Sequence, residues 1–157
     1  MKDSYSLTIT PTLPVEQRPA LEHLLFFNVN QHRVLPGIQL SIENYGVPEI
    51  FEHHGNLRIR IGNLENVQTL FAVSELGPPV GVAIFVRMPC HRLVMLHMAV
   101  DTRLRSTVDV NTPVVLELMR EIRSTARRMG GIDRVELVYN VRNTALLSTM
   151  GERGSPC

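Results

Sequence analysis

Residues 70–150 decide the fold, and five segments stand out in them: LFAVSEL (70–76), VGVAIFVRM (80–88), RLVMLHMAV (92–100), TPVVLELMREIRSTARRMG (112–130) and RVELVYN (134–140). The first three predict strands, and the short connections at 77–79 and 89–91 favour an antiparallel meander. The fourth segment predicts a helix and the fifth a strand. With the strand before them, these two segments predict a right-handed unit of strand, crossover helix and parallel strand. NTALLSTM (143–150) predicts a second short helix.

The helix after residue 111 has the clearest start and end in the chain. Thr112 can cap it, Pro113 suits its first position, and Gly130 can end it with a left-handed backbone. Its arginines predict a solvated face with some glutamate pairing. The helix start and the carboxyl end of strand 92–100 form a natural site for a phosphate-bearing ligand. One apolar stripe runs along the helix at Val115, Leu118, Met119, Ile122, Ala126 and Met129.

The first half of the chain gives weaker signals. It predicts a strand over 6–12, a helix over 15–29, a short helix from Pro48 to His54, and a half-buried strand over 57–61. Because no linker or repeat appears, we expect one domain over residues 1–157. The expected fold class is α/β, with a mixed, largely antiparallel central sheet and helices on both faces.

The composition excludes several classes of protein. Apolar residues make up 44%, charged residues 20%, and the net charge is +1, which predicts no nucleic-acid partner. No run is long enough to span a membrane, and the start lacks the apolar stretch of a signal peptide. Cys90 and Cys157 form no metal or disulfide pattern, so we expect a reducing, cytoplasmic location. Adjacent His53 and His54 diverge without a third ligand at suitable spacing, so we expect no metal site.

The order of elements and the wording of residues 96–147 resemble the GCN5-related N-acetyltransferase (GNAT) superfamily. Ala99-Val100-Asp101 matches the end of that family's fourth strand, and residues 116–129 match the helix that follows. Residues 134–140 match its fifth strand, and Asn143-Thr144-Ala145 matches the start of its last helix. The resemblance implies an acyl-CoA N-acyltransferase-like fold and acetyl-CoA as the acyl donor.

The same resemblance implies where acetyl-CoA would bind. Backbone groups of Met98, Ala99 and Val100 would bond its pantetheine arm, and its pyrophosphate would lie at the start of the helix. The family's phosphate loop carries glycines, but the stretch 103–112 has none. Side chains would then replace backbone contacts there. The cofactor-binding set implied by the resemblance is completed by Arg103, Arg105, Ser106, Thr107, Thr112 and Asn143.

Two residues are candidates for the general base that takes the proton of an attacking amine. His97 lies inside the fourth strand of the pattern and has an ordinary pKa near neutrality. With a period of two it would share a face with Leu93, Met95 and Ala99, where a satisfied core histidine is the alternative interpretation. Glu75, near the end of strand 69–76, is second, with an exposed strand-end charge as its alternative. The tyrosine often found on the family's last helix is Met150 here.

These observations predict an acyl-CoA-dependent N-acetyltransferase acting on a small-molecule or peptide amine. The alternative is a catalytically inactive GNAT-fold protein that serves as a CoA-binding or protein-interaction module, and a structural module with an unrelated ligand is a third possibility. After Gly151 only six residues remain, where the family usually adds two strands. An exposed edge on the fifth strand therefore predicts a homo-oligomer.

Overall fold

Twelve elements make up the structure, a computed structural model that describes residues 6–26, 35–75, 77–101 and 114–137. Three are helices, one is a 3₁₀ turn at Val15–Gln17, and the others are strands. The helices are α1 (Arg18–Phe26), α2 (Leu35–Tyr45) and α3 (Val114–Met129). The strands are β1 (Leu7–Thr10), β2 (Leu13–Pro14), β3 (Pro48–His53), β4 (Asn56–Ile61), β5 (Gln68–Ser74), β6 (Pro79–Met88), β7 (Arg92–Val100) and β8 (Arg134–Leu137).

The central sheet has five strands in the order β1-β5-β6-β7-β8. Strands β1, β5, β6 and β7 pair antiparallel, and β8 pairs parallel with β7. The chain reaches β8 through α3, as expected for a parallel neighbour that needs a crossover connection. The predicted meander and the predicted strand–helix–strand unit are both confirmed.

Strand β6 is buried on both faces of this sheet, from Pro79 to Val86. Its alternate side chains enter two different cores. Val82, Ile84 and Val86 pack with α1 and the second sheet, whereas Ala83 and Phe85 pack with α3. The predicted α/β fold with helices on both faces of a largely antiparallel sheet is therefore confirmed.

A second sheet, in the order β2-β4-β3, lies over the α1 side of the main core. The alternation that predicted a strand at 57–61 is confirmed, since Leu57, Ile59 and Ile61 are buried in β4. The helix predicted from Pro48 to His54 is wrong, because these residues form β3 instead. Positive φ angles at His54 and Gly55 give the two-residue turn that a tight hairpin requires, and this turn pairs β3 with β4.

Helix α3 follows its predicted pattern with one shift. Leu118, Ile122 and Ala126 are buried as expected, but Val114 rather than Val115 begins the buried stripe. The helix ends at Met129, and Gly130 follows with φ +67°, the predicted left-handed stop. The outer face carries the expected ion pairs, with Arg120 2.8 Å from Glu117 and Arg128 2.9 Å from Glu121.

Cys90 lies in the turn between β6 and β7 and is disulfide-bonded. The prediction that the cysteines form no disulfide is therefore wrong, and cysteine usage no longer supports a reducing compartment.

Among the helices of the described ranges, none has the length and apolar character needed to cross a membrane.

Gly81 on β6 fixes how α3 sits on the sheet. A Cβ atom at Gly81 would lie 2.7 Å from Val114 Cγ1 and 3.2 Å from Leu118 Cδ1. The first turn of α3 therefore packs directly on the backbone of β6 at this point. Because Gly81 pairs with Val100, the start of α3 is held beside the carboxyl end of β7.

We expect the substitution Gly81→Ala to lower the free energy of unfolding by about 1–3 kcal/mol, the usual cost of overpacking a core. The added methyl group must displace the side chains of Val114 and Leu118 on the first turns of α3. Urea denaturation of both proteins measures the difference. Arg87→Ala, an exposed change on the same strand, is the control and should alter stability by less than about 0.5 kcal/mol. Equal stability of Gly81→Ala and the unsubstituted protein would show that α3 does not rest on Gly81.

Candidate functional site

The candidate site lies where the carboxyl end of β7 meets the start of α3. The Asp101 N–H donates to the Val80 carbonyl oxygen at 2.8 Å, which ties the end of β7 to the start of β6. Gly81, the neighbour of Val80, receives the first turn of α3. The structure thus brings together the two elements that the sequence predicts to form a phosphate-binding edge.

The backbone of β7 alternates in direction near its end. Since Asp101 bonds to Val80, the antiparallel ladder also pairs Ala99 with Val82 by hydrogen bonds, and the residues between them face the other way. Backbone groups of Met98 and Val100 therefore point away from β6, toward the side on which β8 lies. The described part of β8 ends at Leu137, which pairs with Met95. Of the three predicted backbone contacts, Met98 and Val100 have the required direction, whereas the Ala99 groups face β6.

A β-bulge interrupts β7 just before this segment. His97 pairs with Ile84 and Met95 pairs with Phe85, so Leu96 has no residue opposite it on β6. The extra residue changes which face the following side chains occupy. His97 shares a face with Ile84 and Ala99, which belong to the core on the α1 side. The predicted shared face with Leu93 and Met95 is wrong, because those two side chains belong to the core beneath α3.

Ser41 on α2 bonds to the bulge. Its hydroxyl Oγ donates to the Leu96 carbonyl oxygen at 3.0 Å, and the side chain is 5% exposed. No sequence signal identified this residue, because it lies within 30–56, the segment with the weakest periodicity. Gly81 was also missed as a site-forming residue, although a lone glycine inside a strand pattern is a recognised sign of close backbone approach.

His97 is 6% exposed. Burial in this apolar surrounding lowers the pKa of His97 from its ordinary 6.5 to about 4, because the charged imidazolium loses its hydration. The prediction of a pKa near neutrality is therefore wrong. The imidazole is neutral at pH 7, so its basic form is present, but it is a weaker base than an exposed histidine.

Glu75 lies in the exposed turn after β5, at the same end of the sheet as Val100. Across the sheet, the residue of β5 that lies level with His97 is Thr69, because Thr69 pairs with Ile84 and Ile84 pairs with His97. These three residues form one row across the sheet. Six residues at about 3.3 Å each place Glu75 roughly 20 Å along the strand from that row. The two candidate bases therefore belong to different places and cannot act on one atom.

The remaining predicted site residues lie outside the described residues. They are the anion-binding side chains and the residue that opens the last predicted helix: Arg103, Arg105, Ser106, Thr107, Thr112 and Asn143. Within the described ranges, no group of three or more His, Cys, Asp and Glu side chains is arranged to hold a metal ion.

Known proteins resemble this chain in structure rather than in sequence. No protein-family model and no curated protein matches it. An acetyltransferase of the GNAT family from Staphylococcus aureus Mu50 matches 96% of this chain and 82% of its own, with 14% identity and a TM-score of 0.52. Nourseothricin acetyltransferase matches 94% of this chain and 82% of its own, with 14% identity and a TM-score of 0.46. An integron cassette protein from the mobile metagenome of V. cholerae matches 98% of this chain and 86% of its own, with 14% identity and a TM-score of 0.41.

The first of these likenesses shows the fold that the chain shares with an acetyltransferase. The GNAT-type, acyl-CoA N-acyltransferase-like fold predicted from residues 96–147 is thereby confirmed. The fold by itself identifies neither a substrate nor a catalytic residue, so both must be inferred from the site.

The lowered pKa of His97 makes the stability of the fold depend on pH. Between pH 6.5 and 4 the unfolded chain binds a proton that the folded chain excludes, so stability falls as the pH falls through this window. Between pH 7 and 4.5 the loss from this group should be about 2 kcal/mol. Urea denaturation at both pH values measures it, and His97→Leu should remove most of the difference.

Ile59→Val is the control for this measurement, because it changes the packing of the same core without removing a titratable group. It should keep the pH dependence of the unsubstituted protein. An unchanged pH dependence in His97→Leu would mean that His97 is not the buried group that resists protonation.

Proposed function

We propose that the protein binds acetyl-CoA where β7 ends beside the start of α3, and transfers the acetyl group to a small-molecule or peptide amine. The observation that carries this proposal is the outward direction of the Met98 backbone groups at that edge. An extended ligand arm can pair with such groups as an additional strand would. The shared acetyltransferase fold supports the same location.

The residues at this edge fit the chemistry of acetyl-CoA. The pantetheine arm carries amides, which match the alternating N–H and C=O groups of β7. The pyrophosphate requires an anion site, and a helix start provides N–H groups and a favourable dipole. In this proposal Arg103 and Arg105 and the hydroxyls of Ser106, Thr107 and Thr112 supply further anion contacts, and Asn143 completes the donor site.

Bound acetyl-CoA would supply a thioester carbonyl carbon to which the amine nitrogen bonds, and CoA would leave as the thiolate and take up a proton to become the free thiol. The chain must orient the amine and accept its proton. We assign the proton acceptor to His97, which precedes Met98 on the same strand, whereas Glu75 lies too far from this row. At pH 7 the imidazole is neutral and holds the lone pair that a base needs.

One observation favours a second candidate function. An imidazole with a pKa of about 4 has little power to take a proton from an amine, and burial at 6% exposure restricts access to it. A GNAT-fold protein that binds CoA, or a partner protein, without catalysis would have no need of a stronger base. Acetyl transfer and ligand binding therefore need separate measurements.

The remaining expectations are proposals of the same kind. A homo-oligomer would cover the outer edge of β8, which is the last strand of the central sheet in the described residues. We retain the small-molecule or peptide amine as the acceptor, with no nucleic-acid and no membrane partner. The cytoplasmic location stays a prediction.

Isothermal titration with acetyl-CoA and with CoA tests the donor site. We expect a micromolar Kd for the unsubstituted protein, and no binding at millimolar concentration would contradict the proposal. Met98→Pro removes the outward N–H and should weaken binding by about 5-fold, since one hydrogen bond contributes about 1 kcal/mol. Met98→Ala keeps the N–H and should stay within about 3-fold. Circular dichroism verifies that both variants fold, and equal affinities of the two would exclude the backbone contact.

Release of the CoA thiol in the presence of a panel of amines tests catalysis. His97→Gln keeps a polar side chain of similar size without a basic nitrogen, so we expect kcat to fall by about 10²–10⁴-fold while the Kd for acetyl-CoA is unchanged. Glu75→Gln should leave kcat within about twofold. In the unsubstituted protein, the acid limb of kcat should lie toward pH 4 rather than at 6.5. Undiminished kcat in His97→Gln would disprove the base assignment, and CoA binding without any transfer would favour the non-catalytic function.

A further inference from the structure

Two polar side chains are buried in the described residues, Ser41 and His97, and both lie at the β7 bulge. From this juxtaposition we infer that Ser41 is a positioning residue for the acyl-donor site. Its hydroxyl holds the bulge at Leu96 and thereby fixes which backbone groups of β7 face outward. The inference rests on the proposed function, because its effect on acetyl-CoA binding is exerted through the Met98 backbone groups.

The hydrogen bond has a specific task at this point of the strand. Leu96 has no residue opposite it on β6, so its carbonyl cannot rely on a regular ladder partner. A buried carbonyl without a hydrogen bond is unfavourable, and Ser41 Oγ supplies the bond at 3.0 Å. Leu96 itself is 0% exposed, so water does not offer an easy substitute.

The position of the bulge determines which face each later side chain of β7 occupies and which neighbouring strand each later backbone group points toward. In a strand, a shift of one residue moves each side chain to the other face and each backbone group to the other edge. With the bulge at Leu96, Met98 and Val100 face away from β6. If the bulge moved past these residues, their N–H and C=O groups would turn toward β6, and the outward edge would present Ala99 instead.

Ser41 also links helix α2 to the strand that forms the proposed acetyl-CoA site. It lies on α2, on the α1 side of the sheet, whereas the phosphate-binding edge begins at α3 on the opposite face. The bond to Leu96 therefore couples the placement of α2 to the phase of the strand that contacts acetyl-CoA. In this arrangement α2 acts on the donor site without touching the donor.

Ser41→Ala, Ser41→Thr and Ile59→Val test the inference. Ser41→Ala removes the hydroxyl and should weaken CoA binding by about 10-fold in isothermal titration, because the bulge at Leu96 would no longer be held where it directs the Met98 backbone groups outward. Amide hydrogen exchange over residues 96–101 should become faster in the same variant. Ser41→Thr keeps the hydroxyl and should restore both readouts. Ile59→Val lies in the same core but on β4, and it should lose a little stability without changing CoA affinity.

Each outcome decides between the two ideas. If the unsubstituted protein does not bind CoA, the proposed function fails and this role fails with it. If Ser41→Ala binds CoA as tightly as the unsubstituted protein, only the role of Ser41 is overturned. The role is also overturned if Ile59→Val weakens CoA binding to the same extent, or if Ser41→Thr behaves like Ser41→Ala.

Discussion

Burial of β6 on both faces is the constraint on which the rest of the structure depends. A strand buried from Pro79 to Val86 needs a packed layer on each side of the sheet. Helix α3 provides one layer, and α1 with the second sheet provides the other. Because α3 must rest on the backbone at Gly81, the constraint also determines where the helix begins. The candidate site is thus a consequence of how the core is covered.

The bulge at Leu96 shows how one extra residue changes the direction of the backbone groups at the end of a core strand. Up to Met95, β7 pairs with β6 on one side and β8 on the other. After the bulge the phase of the strand changes, and Met98 and Val100 direct their backbone groups to the β8 side. A bulge breaks a ladder and exposes polar groups, so it is stable only where something else satisfies them. Here a buried serine hydroxyl from α2 bonds the Leu96 carbonyl.

The parts of the fold that were predictable from sequence are those with a long, regular period. The burial of Leu118, Ile122 and Ala126 in α3, and of Leu57, Ile59 and Ile61 in β4, followed from spacing alone. The segment from Pro48 to His53 was misassigned because the pairing of β3 with β4 determines its conformation, and pairing partners are not visible in a local pattern. The predicted face of His97 was wrong for a related reason, since a bulge leaves no mark in the sequence. The edge itself was predictable, but Ser41 was not, because a hydroxyl that reaches another element has no periodic signature.

The proposed donor site consists of backbone groups, which is consistent with a recognisable fold at so little sequence similarity. Contacts through N–H and C=O depend on the phase and position of a strand, and the side chains at Met98 and Val100 are then constrained mainly by packing against the core beneath α3. Chemistry that needs a proton acceptor makes a stricter demand, because a base must be both accessible and of suitable pKa. In this chain His97 is buried against the core on the α1 side, and this burial lowers its pKa to about 4. Donor binding is therefore the part of the proposed function that depends most directly on the fold, and the proposed transfer depends on whether a group with so low a pKa can still accept a proton from the acceptor amine.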